Sequence, residues 1–167
     1  MLTLVISTPT SFQLRNQVRQ TWANKTAFPE MITVFLVGDT FNESINKALL
    51  QESQKFRDII QETFLDAYNN LTLKSVMLLK WSAKYCPSAK LFMKVDENSD
   101  VFTPRLLSYL NNYMSNQTLS HQNTFLCHAR QGSPFRDPRS KYYLSYEEFK
   151  SDTFHTFCSG EIFFKCF

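Results

Sequence analysis

The amino-acid sequence predicts an α/β protein in which a mainly parallel sheet carries helices on both faces. Short apolar segments alternate along the chain with longer segments of helical character. Turn-forming pairs separate these segments, as at Thr8-Pro9, Gly38-Asp39 and Cys86-Pro87. The 167 residues, 43% hydrophobic and 20% charged, suffice for one domain or for the larger part of one.

The predicted elements follow one another in a regular order. Residues 2–7 are apolar but too few to cross a membrane, and they are predicted as a buried strand. Residues 132–152 show a weaker pattern with several prolines and are predicted as an ordered loop. Strands are predicted at residues 2–7, 32–37, 56–60, 90–95 and 124–128, and helices at residues 11–22, 42–55, 70–84 and 104–114.

Charge and hydropathy give no support for a protein that binds nucleic acid or for a chain that spans a membrane. The net charge of +3 comes from lysines and arginines that are scattered along the chain, so nothing favours nucleic acid as a partner. There is no run of about 18 apolar residues, and the chain does not begin with a signal peptide. A protein of the secretory pathway would therefore need a targeting segment that this chain does not contain.

Cysteines and glycosylation sequons bear on the cellular compartment. The four cysteines are widely spaced without a C-x-x-C pair, which argues against zinc and leaves disulfides and buried free thiols as alternatives: Cys86, Cys127, Cys158 and Cys166. N-x-[ST] sequons favour a lumen, and they occur at Asn24, Asn42, Asn70 and Asn116. We expect glycans on Asn24 and Asn42 above all, because Asn24 lies in a predicted loop and Asn42 lies where a loop meets the helix predicted at residues 42–55.

An acidic turn, residues 96–100, follows the strand predicted at residues 90–95. Carboxylate and amide oxygens are the ligands that hard divalent cations prefer, and Asp96, Glu97, Asn98 and Asp100 supply them. A cation held here could neutralise a diphosphate leaving group. The alternative is a solvated polar turn, since these residue types form turns readily.

An arginine pair lies close to the end of the first predicted strand. Arg15 and Arg19 are four residues apart and share one helix face, and their guanidinium groups suit phosphate oxygens. In a parallel sheet, ligands bind beyond the carboxyl ends of the strands, where both Thr8-Pro9 and the acidic turn are expected. Taken alone, however, two solvated arginines are the favoured interpretation.

Together these segments resemble one family. Residues 15–22 resemble its R-x-x-[IV]-R-x-T-W signature, and residues 35–38 resemble its F-L-L-G strand. Further matches follow in the family's order at residues 52–61, 64–74, 141–149 and 158–160. The chain is thereby similar to the β-1,3-galactosyltransferases and β-1,3-N-acetylglucosaminyltransferases along nearly its whole length.

The resemblance implies a GT-A fold with a Rossmann-like sheet. It implies UDP-galactose or UDP-N-acetylglucosamine as donor, a glycan of a glycoprotein or glycolipid as acceptor, and inversion at the anomeric carbon. The nucleotide-sugar site would include Thr8, Arg15, Arg19, Lys74 and Asp96. A Mn²⁺ ion would bind Asp96 and Asp100, with Glu97 as a substitute ligand. The full-length protein would be a type II Golgi membrane protein facing the lumen, anchored by a segment outside this chain.

The chain also departs from the family pattern. The family has one residue between the outer carboxylates of its metal motif, whereas Glu97, Asn98 and Ser99 lie between Asp96 and Asp100 here, so the loop is two residues longer. The family's later acidic segment, which supplies the catalytic base, lies beyond Phe167, and no residue is assigned as the base.

We therefore expect residues 1–167 to be a single partial domain, truncated towards its C-terminus, that binds the nucleotide sugar but transfers no sugar alone. Residues 158–167 should form an apolar edge strand. The alternative function is that of a truncated or degenerate relative that at most binds UDP-sugar without catalysis.

Overall fold

A computed structural model describes residues 1–115 and 124–166. In chain order the elements are β1 (Leu2–Ile6), α1 (Phe12–Gln20), β2 (Ile32–Asp39), α2 (Glu43–Phe56), β3 (Ile59–Leu65), α3 (Leu71–Tyr85), β4 (Leu91–Asp96), α4 (Thr103–Ser115), β5 (Phe125–Arg130) and β6 (Phe157–Cys166). A short 3₁₀ turn, Tyr68–Asn70, leads into α3.

The strands form one sheet in the order β3-β2-β1-β4-β6-β5. Strands β3, β2, β1 and β4 are parallel neighbours, and β6 runs antiparallel to both β4 and β5. Strand β1 is an inner strand of the parallel part, with β2 on one side and β4 on the other. The prediction of a mainly parallel sheet is confirmed.

Apolar cores lie on both faces of the sheet. On one face, Met77 and Leu78 of α3 pack against Leu4 of β1 and Leu36 of β2. On the other face, Val18 of α1 and residues of α4 pack against Val5, Phe35 and Val95, together with Trp22. Alternate residues of each strand point to opposite faces, so a strand covered on both sides is mainly apolar. Helices on both faces are confirmed as well.

Strand β6 is an interior strand, and the expectation of an apolar edge strand at residues 158–167 is wrong. It pairs with β4 through Phe163 and Phe164 and with β5 on its other side. These two half-buried rings contribute to the cores on opposite faces. The sequence pattern shows that the segment is apolar, but strand neighbours are decided by contacts distant in sequence.

The junction of α2 and β3 also differs from the prediction of a short strand at residues 56–60. Helix α2 continues to Phe56 and is closed by Arg57, which has a left-handed φ of 55° and donates its N–H to the Ser53 carbonyl. Strand β3 then extends to Leu65. The middle of β3 consists of exposed polar residues, so the sequence does not show the apolar pattern of a strand there. Such residues are tolerated because β3 is an outer strand of the sheet.

The long connection between β5 and β6 is ordered around one guanidinium group. Arg136 donates to the carbonyls of Leu144, Ser145, Phe149 and Ser151 over distances of 2.6–2.9 Å. The predicted ordered loop at residues 132–152 is confirmed. Within residues 1–115 and 124–166, no helix has the length and apolar character needed to cross a bilayer.

Candidate functional site

The carboxyl ends of the four parallel strands meet along one edge of the sheet. The backbone ladder continues one residue past the strands: Ser7 N–H donates to Leu36 O over 3.0 Å, and Glu97 N–H donates to Ile6 O over 3.1 Å. Two segments therefore lie side by side at this edge. They are the β1–α1 turn, residues 7–11, and the acidic turn, residues 96–100.

Arg15 supports the β1–α1 turn from inside the protein. Its side chain is 0% exposed, and its Nη1 donates to Ser7 Oγ over 2.9 Å and to the Thr8 carbonyl. Its Nη2 donates to the Pro9 carbonyl and to Glu52, and its Nε donates to Glu52 as well. All five N–H groups thus have protein partners, and the interpretation of Arg15 as a solvated arginine is wrong.

Arg19 lies one helical turn farther along α1 and is only 12% exposed, so it is not solvated either. Its Nε and Nη2 donate to the two Asp58 oxygens over 2.7 and 2.8 Å, and its Nη1 donates to Glu52 over 2.7 Å. Burial lowers the pKa of Arg19, but the hydrogen bonds to Asp58 and Glu52 outweigh burial and raise it. Arg19 borders a cavity of about 680 Å³ along the amino-terminal half of β2.

Glu52 of α2 is the acidic partner that the two arginines share. Burial raises the pKa of its carboxyl group, but hydrogen bonds from Arg15 and Arg19 outweigh burial and hold the pKa below the ordinary value. The resulting network of Arg15, Glu52, Arg19 and Asp58 ties α1 to α2 and to the start of β3. Its formal charge is zero, which makes its burial tolerable.

A second buried ion pair lies under the same turn from the other face of the sheet. The Nζ of Lys74 lies 2.8 Å from Asp66 Oδ2 and donates to the Ser7 carbonyl over 2.6 Å. Asp66 Oδ2 also accepts the Gly38 N–H over 2.8 Å. A side chain on Gly38 would meet Phe64 O at 2.8 Å, so the absence of a Cβ lets Asp66 approach. Lys74 thereby joins the carboxyl ends of β1, β2 and β3.

Asp96 ends β4 and is held by a neighbouring cation. The Nζ of Lys94, on the same strand, donates to Asp96 Oδ1 and to the Gly160 carbonyl of β6. Asp100, at the other end of the acidic turn, is exposed and borders a smaller cavity next to Trp22. Asp100 is thus more exposed to solvent than Asp96. The charge of Asp96 is balanced by Lys94.

Glu97 points towards the β1–α1 turn. Its Oε1 accepts the Ser11 hydroxyl over 2.7 Å and the Thr8 N–H over 3.4 Å. Its Oε2 is buried and has no hydrogen-bond partner among the described residues. Glu97 therefore connects the two turns that form the site.

The chemistry of the acidic turn fits a hard cation in part. Asp96 and Asp100 offer carboxylate oxygens in one turn, which is how Mg²⁺-like ions are held when phosphate oxygens and water complete their coordination. Within residues 1–115 and 124–166, however, no three Asp, Glu, His or Cys side chains gather closely enough to hold an ion. A cation bound here would need further ligands besides these side chains.

The predicted site residues fall into three positions. Thr8 and Asp96 lie at the sheet edge in turns that Glu97 connects. Arg15 and Lys74 lie beneath the β1–α1 turn, and Arg19 lies farther along α1. The prediction did not include Glu52, Asp58 and Asp66, although they lie within the matching motif segments and carry the charge that their buried partners require.

The sequons and cysteines occupy distinct environments. Among the described hydrogen bonds, Asn24 and Asn42 use only their Oδ1 atoms, whereas the Nδ2 of Asn70 donates to Leu65 O over 2.7 Å. Asn116 lies outside the described residues. Cys127 and Cys158 form a disulfide that joins β5 to β6, and Cys86 is a free thiol.

The sheet order, the helices on both faces and the two turns at the carboxyl edge define a GT-A-like α/β glycosyltransferase domain. Residues 13–166 match the family model described as Galactosyltransferase. Beta-1,3-galactosyltransferase 1 of Homo sapiens and that of Mus musculus are each 35% identical over 162 residues, which cover 96% of this chain and 49% of the relative. Beta-1,3-galactosyltransferase 2 of Mus musculus is 34% identical over 165 residues, covering 96% of this chain and 38% of the relative.

The chain belongs to the galactosyltransferase family, and the family expected from the motifs is confirmed. It spans about half the length of the first of these curated relatives, and less of the second.

Proposed function

We propose that this chain is the nucleotide-sugar-binding part of a hexosyltransferase of the β-1,3-galactosyltransferase type. The observation that carries the proposal is the match of residues 13–166 to the galactosyltransferase family. The donor would be UDP-galactose or UDP-N-acetylglucosamine. The sugar would pass with inversion to a hydroxyl of a glycoprotein or glycolipid glycan.

In this proposal the nucleotide lies across the edge of the sheet. Thr8 and Asp96 contact it, since both lie in turns at the carboxyl ends of central strands. Arg15 and Lys74 hold the β1–α1 turn from beneath, because their donors are engaged by Ser7, Thr8 and Asp66. Arg19 supports the same turn through Glu52, which it shares with Arg15.

Asp96 and Asp100 are the proposed ligands of a Mn²⁺ ion, which would bind together with the diphosphate. When bound, such an ion supplies Lewis-acid stabilisation of the charge that develops on the leaving group. Lys94 fixes the orientation of the Asp96 carboxylate through Oδ1. Sugar transfer also needs a base within hydrogen-bond reach of the acceptor hydroxyl. The acceptor must in addition be held in line with the anomeric carbon, and this positioning can supply a large part of the rate acceleration.

Calorimetric titration with UDP, with and without Mn²⁺, tests the proposal. We expect UDP to bind more tightly than GDP, and Mn²⁺ to strengthen the binding. The double variant Asp96→Ala, Asp100→Ala should lose the Mn²⁺-dependent gain, whereas Glu62→Ala, an exposed carboxylate on β3, should retain it. Equal affinity for UDP and GDP, or an unchanged gain in the double variant, would contradict the proposal.

A second candidate function is nucleotide-sugar binding without transfer. The longer acidic turn favours it, because the family's metal motif is interrupted at residues 97–99. A donor-consumption assay on the full-length protein, with both UDP-sugars, Mn²⁺ and a panel of galactosyl, N-acetylglucosaminyl and N-acetylgalactosaminyl acceptors, separates the two, whereas residues 1–167 alone should form no product in either case. A disaccharide product supports the enzyme, and UDP binding without any product supports the binding protein.

We further propose that the protein works in the lumen of the Golgi apparatus, attached to the membrane. The Cys127–Cys158 disulfide supports an oxidising compartment. Expression with an added signal sequence should give a glycosidase-sensitive shift on a gel, and removal of Asn24 and Asn42 together should reduce it. If the chain with all its sequons intact shows no shift, this would count against a luminal protein.

A further inference from the structure

Glu97 sits where this chain departs from the family pattern, and it does not behave as a surface carboxylate. It is the first of the three residues between Asp96 and Asp100. Its backbone N–H extends the ladder to Ile6 of β1, and its side chain crosses to the β1–α1 turn, where it accepts hydrogen bonds from Ser11 and Thr8. The carboxylate therefore bridges two turns that are 86 residues apart in sequence at the Ser11 contact.

Both oxygens of Glu97 are withdrawn from the place a cation would occupy. Oε1 is engaged by the Ser11 hydroxyl at 2.7 Å, and Oε2 is enclosed by protein. A cation that exchanges with solvent and with phosphate needs carboxylate oxygens it can reach, as those of exposed Asp100 are. Glu97 would have to break its bridge before it could act as a metal ligand.

The bridge also sets the direction of a chain of hydroxyl groups. A carboxylate only accepts hydrogen bonds, so the single hydroxyl proton of Ser11 is donated to Glu97. The Thr8 hydroxyl, 2.7 Å from Ser11 Oγ, must then be the donor in that contact. The Thr8 hydroxyl therefore has no proton left for its second neighbour, Thr10 Oγ1 at 3.3 Å, and Thr10 must be the donor in that contact. Thr8 Oγ1 can then offer a ligand only its remaining lone pair.

We propose that Glu97 is a positioning residue of the nucleotide site, which holds the β1–α1 turn and presents the Thr8 hydroxyl as an acceptor. The inference rests on the proposed function in taking a nucleotide as the ligand. The donors of UDP are the ribose hydroxyls and the uracil N3–H, so an acceptor at Thr8 suits these groups and does not suit the diphosphate, which offers only acceptors. Of the two, the ribose hydroxyls are the proposed partner of Thr8. Asp96 and Asp100 then remain the carboxylates for a cation.

UDP titration with and without Mn²⁺ separates a positioning residue from a metal ligand. Glu97→Ala should weaken UDP binding about ten-fold in both conditions, since hydrogen bonds to a charged group are lost. Asp100→Ala should affect only the titration with Mn²⁺. Glu97→Gln keeps an oxygen acceptor for Ser11 and should stay within about three-fold of the wild type. Loss of only the Mn²⁺-dependent gain in Glu97→Ala would make Glu97 a metal ligand and overturn the inference.

A ribose-modified probe tests the orientation of Thr8. The wild type should prefer UDP over 2′,3′-dideoxy-UDP, and Thr8→Val should bind the two more equally, because the acceptor for the ribose hydroxyls is gone. If Thr8→Val instead weakens both ligands by the same factor, Thr8 does not read the ribose and this part of the inference is wrong.

Amide hydrogen exchange tests the bridge without any ligand. Glu97→Ala should speed exchange at the amides of Thr8, Thr10 and Ser11 and leave exchange in α3 unchanged. Glu161→Ala, which removes an exposed carboxylate on β6, should change neither. Unchanged exchange at residues 8–11 overturns the inference. If the wild type binds no UDP, the proposed function fails, and the exchange measurement still decides whether the bridge exists.

Discussion

The ammonium group of Lys74 lies 2.8 Å from Asp66 Oδ2, and the two side chains are only 3% and 8% exposed. One residue of this pair comes from α3 and the other follows β3, so the contact fixes the helix against the carboxyl edge of the sheet. Ser7 O and Gly38 N–H complete the hydrogen bonds of the pair. Removing either partner would leave the other as an uncompensated buried charge.

Lys74→Met should therefore lower the free energy of unfolding by about 3–5 kcal/mol. Urea unfolding measures the change, and Lys80→Met, an exposed lysine on the same helix, is the matched control. Adding Asp66→Asn to Lys74→Met should recover part of the loss. A single variant as stable as the wild type would mean that the pair contributes no stability.

The shared carboxylate Glu52 should make stability depend on pH. Its pKa is held below the ordinary 4.5, so its ionised form stabilises the folded state above that value. This contribution is lost as the pH falls from about 4.5 through the lower folded pKa. Glu52→Gln should destabilise by about 3 kcal/mol at pH 7, and the difference from the wild type should shrink in acid. Unfolding curves between pH 7 and 3 test this, with exposed Glu43→Gln as the control.

Gly38 should tolerate no side chain. A Cβ there would lie 2.8 Å from Phe64 O and 2.9 Å from Asp66 Cβ, so the ends of β2 and β3 would have to separate. Gly38→Ala should cost about 1–3 kcal/mol of stability. Thermal unfolding compares it with Gly132→Ala, where an added Cβ meets nothing within 4 Å. A stable Gly38→Ala variant would show that the strand ends can move apart freely.

The Cys127–Cys158 disulfide should carry much of the stability of the β5–β6 pair. The two residues are 31 positions apart, and closing a loop of that length is worth about 3–4 kcal/mol. The double variant Cys127→Ser, Cys158→Ser should lose this amount, and a reductant should produce the same loss in the wild type. Cys86→Ser should respond to the reductant as the wild type does. Indifference of the wild type to reduction would refute the contribution.

The strands of the parallel core could be predicted from the sequence because burial on both faces makes most of their positions apolar. Strands β1 and β4 are of this kind, and their predicted bounds are within one residue of those observed. Of strand β3, the predicted strand at residues 56–60 covers only Ile59 and Ile60. The rest could not be placed, since its outer position permits Gln61, Glu62 and Thr63, and nothing local separates these residues from a loop.

The site could be predicted as a set of segments but not as a set of contacts. Arg15 and Arg19 stand out as cations on one helix face, yet their partner Glu52 lies 37 and 33 residues away, and no periodicity encodes that pairing. The direction in which the Glu97 side chain points could not be predicted either, because its partner Ser11 is also distant in sequence. It depends on how far Ser11 lies from β4, which only the assembled sheet determines.

The central position of β1 has a consequence for synthesis on the ribosome. Leu2 pairs with Ile32 on one side and with Phe92 on the other, so β1 emerges long before its second neighbour is made. Leu4 and Val5, which are fully buried in the finished protein, then have one open flank throughout the translation of α2, β3 and α3. Parallel pairings of this range form late, and exposed apolar strands are prone to aggregate in the meantime. We expect the nascent chain to depend on chaperones until β4 has left the ribosome.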